Sequence, residues 1–268
     1  MTIDIGILGA DGRMGLAVVQ ALTKFPQTKL AAALTAPQSP NLGKDAGVLA
    51  ETSAADVVLT ANISDALDKC DVLIDFSAPK AAIDTALAIH DHRCQSMVSG
   101  TTGFSDTESQ AFEAASNHIS LLRSGNFSPG VIALSALVEL ATEKLGTGWD
   151  IEILEMHHRH KVDAPSGTAL LLGEAAAKGR GVSLDETAVL SREGLTGARS
   201  DDEIGFATLR GGGVIGRHEV RLASPLEMIT LGHDAFDRSV WARGAVEAAL
   251  WLHEKPKGLY SMRDVLGF

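Results

Sequence analysis

A glycine-rich turn near the start of the chain constrains the fold more than any other segment. The apolar run Ile3–Leu8 predicts a strand and Met14–Phe25 predicts a helix, with Gly9-Ala10-Asp11-Gly12-Arg13-Met14-Gly15 between them. Residues without a Cβ atom let the backbone approach a pyrophosphate, and a helix N-terminus offers free N–H groups and a positive dipole end. The G-x-x-G-x-x-G spacing is a variant of the dinucleotide fingerprint. We therefore expect a dinucleotide site here, the alternative being a β–α turn without a ligand.

Strand-like and helical segments alternate through the rest of the first half. Lys80–His90 has helical composition, and Ser105 followed by Glu108 is the signature of a capping box. The strand-like runs are Lys29–Leu34, Val72–Phe76, Ser96–Ser99 and Ile119–Leu122. This alternation predicts an α/β fold with a doubly wound, Rossmann-type parallel sheet.

The second half has a different pattern. Helices are predicted near Pro129–Leu145 and Gly167–Lys178, and the strand-like runs are Asp150–His157, Ile204–Arg210, Val214–Ala223 and Glu227–Gly232. Consecutive strands of this kind predict a second, α+β domain on a mixed or mostly antiparallel sheet. The last helical stretch, Arg238–Trp251, fits either domain by its pattern.

Charge and hydropathy restrict the partners and the cellular location that we expect for the protein. The net charge of −11 argues against nucleic acid or an anionic membrane as a partner. No apolar run approaches the roughly 18 residues of a membrane span, and no basic segment precedes the first apolar run as in a signal peptide. Two cysteines, Cys70 and Cys94, suit a reducing compartment better than a disulfide framework. We therefore expect a cytoplasmic protein.

Glu155–Thr168 concentrates basic side chains in an otherwise acidic chain. Its histidines titrate near neutrality, and Lys161 offers a full positive charge and a proton. The Pro-Ser-Gly-Thr end of this segment opens a helix whose first N–H groups, at Gly167 and Thr168, suit a carboxylate. The segment therefore predicts a site that binds an anion and supplies a proton.

Three other interpretations of this segment need weighing. The residue types of a zinc site are present in His157, His158, His160 and Asp163. Alternation along a strand would place the first of these histidines on one face and the other two on the opposite face, so we expect no metal. Ser166 lacks the G-x-S-x-G elbow of a nucleophile and suits a helix cap. A solvated charge run is disfavoured by the adjoining helix start.

These motifs give the chain a resemblance to the 4-hydroxy-tetrahydrodipicolinate (dihydrodipicolinate) reductase family over nearly its whole length. The matching segments are Gly9–Gly15, Asp75–Ser77, Gly100–Gly103, Asn126–Ser128, Glu155–Thr168, Ser191–Gly194 and Ile204–Ala207. The resemblance implies an NAD(P)H-dependent reductase of diaminopimelate–lysine biosynthesis. Such an enzyme passes a hydride to ring C4 of a small dicarboxylate, with loss of water, to form tetrahydrodipicolinate.

The resemblance also implies roles for individual residues. His157 and Lys161 would be the acid–base pair, with the lysine donating the proton and the histidine assisting. The substrate carboxylates would contact His158, Lys161, Gly167 and Thr168. The cofactor would contact Gly9, Ala10, Asp11, Gly12, Arg13, Met14, Thr35, Gly100, Thr101, Thr102, Ser124, Gly125, Asn126 and Phe127.

By the same resemblance, residues 1–127 and 238–268 would form the dinucleotide-binding domain. Residues 128–237 would form the substrate-binding and oligomerisation domain of a homotetramer. One departure concerns the cofactor, NADPH and/or NADH: the acid that many relatives carry after the second strand is Thr35 here. Without that carboxylate a 2′-phosphate is not repelled and Arg13 can reach one, so NADPH use is plausible.

Two other functions share the predicted cofactor fold. A semialdehyde dehydrogenase needs an activated cysteine, and Cys70 and Cys94 both precede strand-like runs instead of following them. A non-catalytic nucleotide sensor would need the glycine-rich turn but not His157, Lys161 or the anion site. The presence of these groups favours catalysis.

Overall fold

The computed structural model describes residues 2–268, which form strands β1–β12 and helices α1–α10. The strands are β1 (Ile3–Leu8), β2 (Thr28–Leu34), β3 (Leu59–Thr60), β4 (Val72–Asp75), β5 (Ser96–Ser99), β6 (Ser120–Arg123), β7 (Asp150–His157), β8 (Ala188–Val189), β9 (Ile204–Arg210), β10 (Gly216–Ala223), β11 (Met228–Ala235) and β12 (Gly258–Tyr260). The helices are α1 (Arg13–Leu22), α2 (Ala46–Leu49), α3 (Ile63–Leu67), α4 (Pro79–Ala88), α5 (Asp106–Ala114), α6 (Pro129–Leu145), α7 (Gly167–Arg180), α8 (Leu184–Thr187), α9 (Ser239–Leu252) and α10 (Met262–Leu266).

The chain divides into two compact units, and both ends of the chain belong to the first. That unit runs to Phe127 and resumes over Ser239–Phe268, whereas Ser128–Arg238 forms the second. Its sheet has the strand order β12-β6-β5-β4-β1-β2-β3, and every neighbouring pair is parallel. The doubly wound parallel sheet predicted from the alternation is confirmed.

Local sequence explains the main elements of the first unit. The last four residues of β1 and all of β4 are buried, as expected for central parallel strands covered on both faces by helices. Helix α5 begins with the predicted capping box, in which Ser105 and Glu108 exchange side-chain and backbone hydrogen bonds. Strands β3 and β12 lie at the two edges of the sheet and are two and three residues long. So short a run carries no readable periodicity, and neither strand was predicted.

The second unit is a sheet with the order β11-β10-β7-β9-β8, covered on one face by α6 and α7. Strand β10 is antiparallel to β7 and β11, whereas β9 is parallel to β7 and β8. The sheet is therefore mixed. Its covered face is apolar at one end of the strands, through residues such as Ile151, Ile153 and Val220. It becomes polar at the other end, where Glu155, His157 and His218 are buried.

Strand β7 ends at His157, and the residues that follow form a turn. The prediction that alternation separates the histidines of this segment is therefore wrong beyond this residue, because the chain leaves the sheet there. In residues 2–268 no three His, Cys, Asp or Glu side chains converge in a way that could hold a metal ion. Across the same residues, no helix combines the length and the apolar character needed to cross a membrane.

Candidate active site

The glycine-rich turn is closed to side chains by the backbone around it. Gly9 has a φ of +79°, and a Cβ atom there would lie 2.6 Å from the carbonyl oxygen of Phe76. A Cβ atom at Gly15 would lie 2.2 Å from the Gly9 oxygen. The N–H of Gly12, which caps α1, donates to that oxygen at 3.0 Å. The turn thus presents bare backbone ahead of a helix N-terminus, a geometry that fits a pyrophosphate.

We expect Gly15→Ala to weaken nicotinamide-nucleotide binding by about tenfold or more, because its methyl group must push the turn away from α1. Titration of cofactor fluorescence measures the dissociation constant, and circular dichroism establishes that the variant is folded. Gly148→Ala is the matched control, since a Cβ atom there meets nothing within 4 Å. Unchanged affinity in a folded Gly15→Ala variant would show that the turn is not part of the cofactor site.

A cavity of about 590 Å³ lies beside the turn, at the ends of β1 and β2. Its volume is within the usual range for small-molecule sites, and apolar side chains such as Leu34 and Ile63 give it walls that suit a nucleoside. Of the predicted cofactor residues, four line this cavity: Gly9, Asp11, Gly12 and Thr35. Ala10 is buried, whereas Arg13 is exposed at the start of α1 and Met14 is partly exposed.

The predicted cofactor residues that follow β5 are organised by a carboxylate that lies in the matching segment Asp75–Ser77 but was assigned no role from the sequence. Asp75, at the end of β4, is fully buried and accepts hydrogen bonds from Ser99 Oγ at 2.6 Å and Thr101 Oγ1 at 2.9 Å. Burial raises the pKa of Asp75. Gly100 lies between these two donors, so Asp75 fixes the backbone of this loop. Thr102, the next residue, is exposed. The sequence feature that could have indicated this role of Asp75 is an acidic residue at the end of an apolar strand.

The predicted residues after β6 form a second tight loop. Ser124 Oγ donates to the Asn126 carbonyl at 2.6 Å and accepts from the Asn126 N–H at 3.2 Å. Gly125 at the tip is exposed, and Phe127 is buried with its ring 5.6 Å from that of Phe76. Neither this loop nor Gly100–Thr102 contributes to the lining of the cavity beside the glycine-rich turn.

In the second unit, the buried carboxylate of Glu155 lies at the centre of the polar end of the sheet. Its side chain is 1% exposed. Arg210 donates to both carboxylate oxygens at 2.8 Å, and the Ser166 N–H donates to one of them at 3.1 Å. Burial alone would raise the pKa of Glu155, but the hydrogen bonds from Arg210 and His157 lower it. Glu155 is therefore an anion at neutral pH.

This anion orients the predicted catalytic histidine. His157 Nδ1 lies 2.7 Å from Glu155 Oε2, and an ionised carboxylate can only accept, so Nδ1 carries a hydrogen. The other ring nitrogen, Nε2, is left to exchange a proton with a ligand. The His157 side chain is 11% exposed, enough for contact from one side. The sequence predicted the histidine, whereas its two supporting partners, Glu155 and Arg210, are 55 residues apart and were not predicted.

A second buried histidine, His218, lies against the first, with ring centroids 5.1 Å apart. The Ser166 hydroxyl caps α7 by accepting from the Ala169 N–H, and it forms a hydrogen bond with His218 Nε2 at 3.0 Å. Burial and the charge of His157 lower the pKa of His218 to about 4. His218 is therefore neutral, and the interpretation of Ser166 as a helix cap is confirmed.

We expect the depressed pKa of His218 to make the protein less stable in acid. Its folded-state pKa of about 4 lies below the ordinary 6.5, so its contribution is complete above pH 6.5 and is lost as the pH falls toward 4. The loss between pH 7 and pH 5 is about 2 kcal/mol. Urea unfolding of the wild type and of His218→Gln, which keeps a hydrogen-bond partner for Ser166, measures the difference. An equally steep decline in both proteins would contradict the assignment.

Lys161 lies in the turn after β7 and forms an ion pair that the sequence analysis did not anticipate. Its ammonium group donates to both carboxylate oxygens of Asp163 at 2.8 Å, and the lysine side chain is 20% exposed. The pKa of His158 is lowered by burial and then by the nearby charges of Arg238, His157, His160 and Lys161. Arg238 and Lys161 both act on His158, so two cations lie near this turn, which favours an anionic ligand.

The start of α7 provides the other part of the predicted anion site. Gly167 and Thr168 are its first two residues, and N–H groups in the first turn of a helix lack an intrahelical acceptor. A Cβ atom at Gly167 would meet nothing within 4 Å, so this residue borders open space. The backbone N–H of Ser166, just before the helix, is bonded to Glu155. The helix start and the predicted catalytic histidine are therefore held by one carboxylate.

Neither cysteine of the first unit can act as a thiol nucleophile. Cys70 and Cys94 are free and fully buried. The neighbouring Cys94 and burial raise the pKa of the Cys70 thiol, which keeps it protonated. The thioester chemistry of a semialdehyde dehydrogenase therefore has no reactive group here.

The first unit has a parallel sheet with a glycine-rich turn, and the second has an oriented histidine followed by a lysine in the segment between β7 and α7. These features define an NAD(P)H-dependent oxidoreductase. Two family models, described as dihydrodipicolinate reductase N-terminus and C-terminus, match residues 3–127 and 130–266. The chain belongs to the dihydrodipicolinate reductase family. The resemblance inferred from the motifs is thereby confirmed.

Relatives of known name cover the chain almost completely. A 4-hydroxy-tetrahydrodipicolinate reductase from Allorhizobium ampelinum is 51% identical over 262 residues, 97% of each chain. One from Parvibaculum lavamentivorans is 48% identical over 270 residues, 100% of this chain and 99% of the relative. A solved structure described as dipicolinate-bound dihydrodipicolinate reductase from Paenisporosarcina sp. TG-14 has a TM-score of 0.77 at 24% identity, over 97% of this chain and 98% of that one. That structure shares the fold.

Proposed function

We propose that the protein is the reductase of lysine and diaminopimelate biosynthesis that converts 4-hydroxy-tetrahydrodipicolinate to tetrahydrodipicolinate. One hydride and one proton are added and one water leaves. The observation that carries the proposal is the cluster in the second unit, where Glu155 orients His157 and anchors the start of α7 near Lys161. This cluster combines anion binding with a proton donor, and both are needed for a dicarboxylate whose ring is reduced.

The substrate is held by groups that prefer carboxylates. One carboxylate lies at the start of α7 against the backbone of Gly167 and Thr168, where the helix dipole favours negative charge. The other takes the place of Asp163 on Lys161, exchanging an internal ion pair for one with the ligand. His158, whose lowered pKa keeps it neutral, contributes a ring N–H that can donate a hydrogen bond.

Proton transfer is assigned to two side chains. Bound NADH or NADPH supplies the hydride to ring C4. Lys161 donates the proton that completes the reduction, and its charge stabilises the bound dianion. His157 assists through Nε2, because Glu155 holds Nδ1–H on the opposite side of the ring.

The same proposal assigns a role to each unit. The first unit binds the nicotinamide nucleotide through Gly9–Met14 and Thr35 and through the loops at Gly100–Thr102 and Ser124–Phe127. The second binds the substrate and joins four copies into a homotetramer. In support of an assembly, β11 is an edge strand with exposed apolar side chains, including Met228 at 56% exposed. Light scattering on the purified protein gives the number of copies. We place the enzyme in the cytoplasm.

The test is a coupled assay. The preceding synthase generates the substrate from pyruvate and aspartate semialdehyde, and nicotinamide absorbance is followed with NADH and NADPH in parallel. We expect rapid oxidation that depends on both the synthase and this protein. Binding of both nucleotides without oxidation would contradict the proposal and support the nucleotide sensor instead.

A further inference from the structure

The glycine-rich turn carries a carboxylate whose position the proposed mechanism does not use. Asp11 accepts hydrogen bonds from Thr35 Oγ1 and Ser39 Oγ, both at 2.5 Å, and from Asn41 Nδ2 at 3.4 Å. All three donors belong to the loop that follows β2. Asp11, Thr35 and Ser39 also line the cavity beside the turn. A carboxylate from the first β–α turn is thus present at the end of the second strand.

This position has a defined role in dinucleotide-binding sheets. An acid at the end of the second strand usually accepts hydrogen bonds from the ribose hydroxyls of the adenosine half of NAD. The chain has no acid from Lys29 to Lys44, so the usual residue is absent. Asp11 places an equivalent group there from another segment. It is an anion at neutral pH because, although burial raises its pKa, the bonds from Ser39, Thr35 and Asn41 lower it.

We propose that Asp11 is the residue that selects the cofactor, accepting a hydrogen bond from the ribose 2′-hydroxyl of NADH and repelling the 2′-phosphate of NADPH. The inference rests on the proposed use of a nicotinamide nucleotide but not on the identity of the reduced substrate. Besides the three side-chain donors, the backbone N–H of Asp11 bonds to this carboxylate, and the longest of the side-chain bonds, from Asn41 at 3.4 Å, is the one that a ribose hydroxyl can replace. A 2′-phosphate has only acceptor oxygens and about two negative charges, so it gains nothing there and is repelled.

The one cation of the turn, Arg13, would instead favour NADPH. Arg13 begins α1 and is exposed, and its charge would attract a 2′-phosphate. We expect Asp11 to prevail because its carboxylate is partly buried in the cavity wall, where charges interact strongly, whereas an exposed guanidinium is screened by water and salt. Separate variants of the two residues distinguish these contributions.

The test measures binding alone, so its result does not depend on turnover. Dissociation constants for NADH and NADPH are obtained by cofactor fluorescence, without substrate, for the wild type, Asp11→Asn and Arg13→Gln. Asparagine retains an acceptor oxygen for Thr35 but loses the charge. Glu247→Gln is the matched control, because it removes one negative charge from an exposed position on α9 in the same unit.

We expect the wild type to bind NADH about tenfold or more tightly than NADPH, a difference of about 1.4 kcal/mol or more. Asp11→Asn should reduce this preference about tenfold by tightening NADPH, with Glu247→Gln unchanged. A wild type that prefers NADPH would overturn the inference, as would a preference that survives in Asp11→Asn. Failure of both nucleotides to bind would instead contradict the proposed function.

Discussion

Replacement of Lys161 by methionine is expected to lower kcat by about 10²- to 10⁴-fold, because it removes the proposed proton donor. It should also raise KM by about tenfold or more, since a charge-assisted hydrogen bond to a substrate carboxylate is lost. Methionine keeps most of the length and apolar surface of the lysine stem. The coupled assay measures both constants, and a kcat near that of the wild type would refute the assignment.

Lys161→Arg separates the two roles of this residue. Arginine keeps the positive charge but does not release a proton near neutral pH, so KM should stay near the wild-type value while kcat falls. Lys178→Met is the matched control, because Lys178 also pairs with a carboxylate at 2.8 Å, that of Glu139, and lies on α7. We expect this control to keep normal kinetics, since exposed ion pairs contribute little.

Glu155→Gln is expected to have the second large effect, on stability and on turnover together. The change removes the negative charge that binds Arg210. It also places an amide group, which can donate a hydrogen bond, opposite Nδ1 of His157. Breaking a buried ion pair on one side costs about 3–5 kcal/mol. The thermal midpoint should therefore fall by roughly 10 °C. Below that midpoint kcat should fall by about 10- to 100-fold, because the tautomer of His157 is no longer held.

Two readouts separate positioning of the histidine from support of the fold. The pH profile of kcat should change in Glu155→Gln, since the group that defines the protonation of His157 is gone. Glu152→Gln on the same strand is the control: Glu152 also pairs with arginines, Arg192 and Arg199, but its side chain is 36% exposed. We expect it to cost less than 1 kcal/mol. An unchanged pH profile in Glu155→Gln would leave that residue a purely structural role.

Much of the fold could be predicted because its main elements have local signals, namely buried strand-like runs, helical patterns and a capping box. The buried strands β1, β4 and β5 and the capped helix α5 have patterns that local physics determines. The edge strands β3 and β12 could not be predicted, because two or three residues show no period and their pairing depends on the neighbouring strand. The parallel pairing of β9 with β7 likewise depends on tertiary register.

The candidate site also combines residues that the sequence predicted with contacts that it did not predict. His157 and Lys161 lie in one dense motif, so sequence alone singled them out. The register of β7 with β9 pairs His157 with Arg210, and this contact across 53 residues leaves no local signal. The ion pair of Lys161 with Asp163 was also missed, because spacing does not show whether a turn brings two side chains together.

The division of the first unit between the two ends of the chain has a consequence for its biosynthesis. Helix α9 packs closely against the rest of this unit: a Cβ atom at Gly244 would lie 1.8 Å from the carbonyl oxygen of Phe127, far inside van der Waals contact. At ribosomal rates of about 5–20 residues per second, that helix follows Phe127 by roughly 6–20 seconds. During that interval the nascent sheet exposes the surface that α9 will cover, whereas Ser128–Arg238 is one continuous segment and needs no later part of the chain to complete it. We therefore expect the nucleotide half to be the part of the nascent chain most dependent on chaperones.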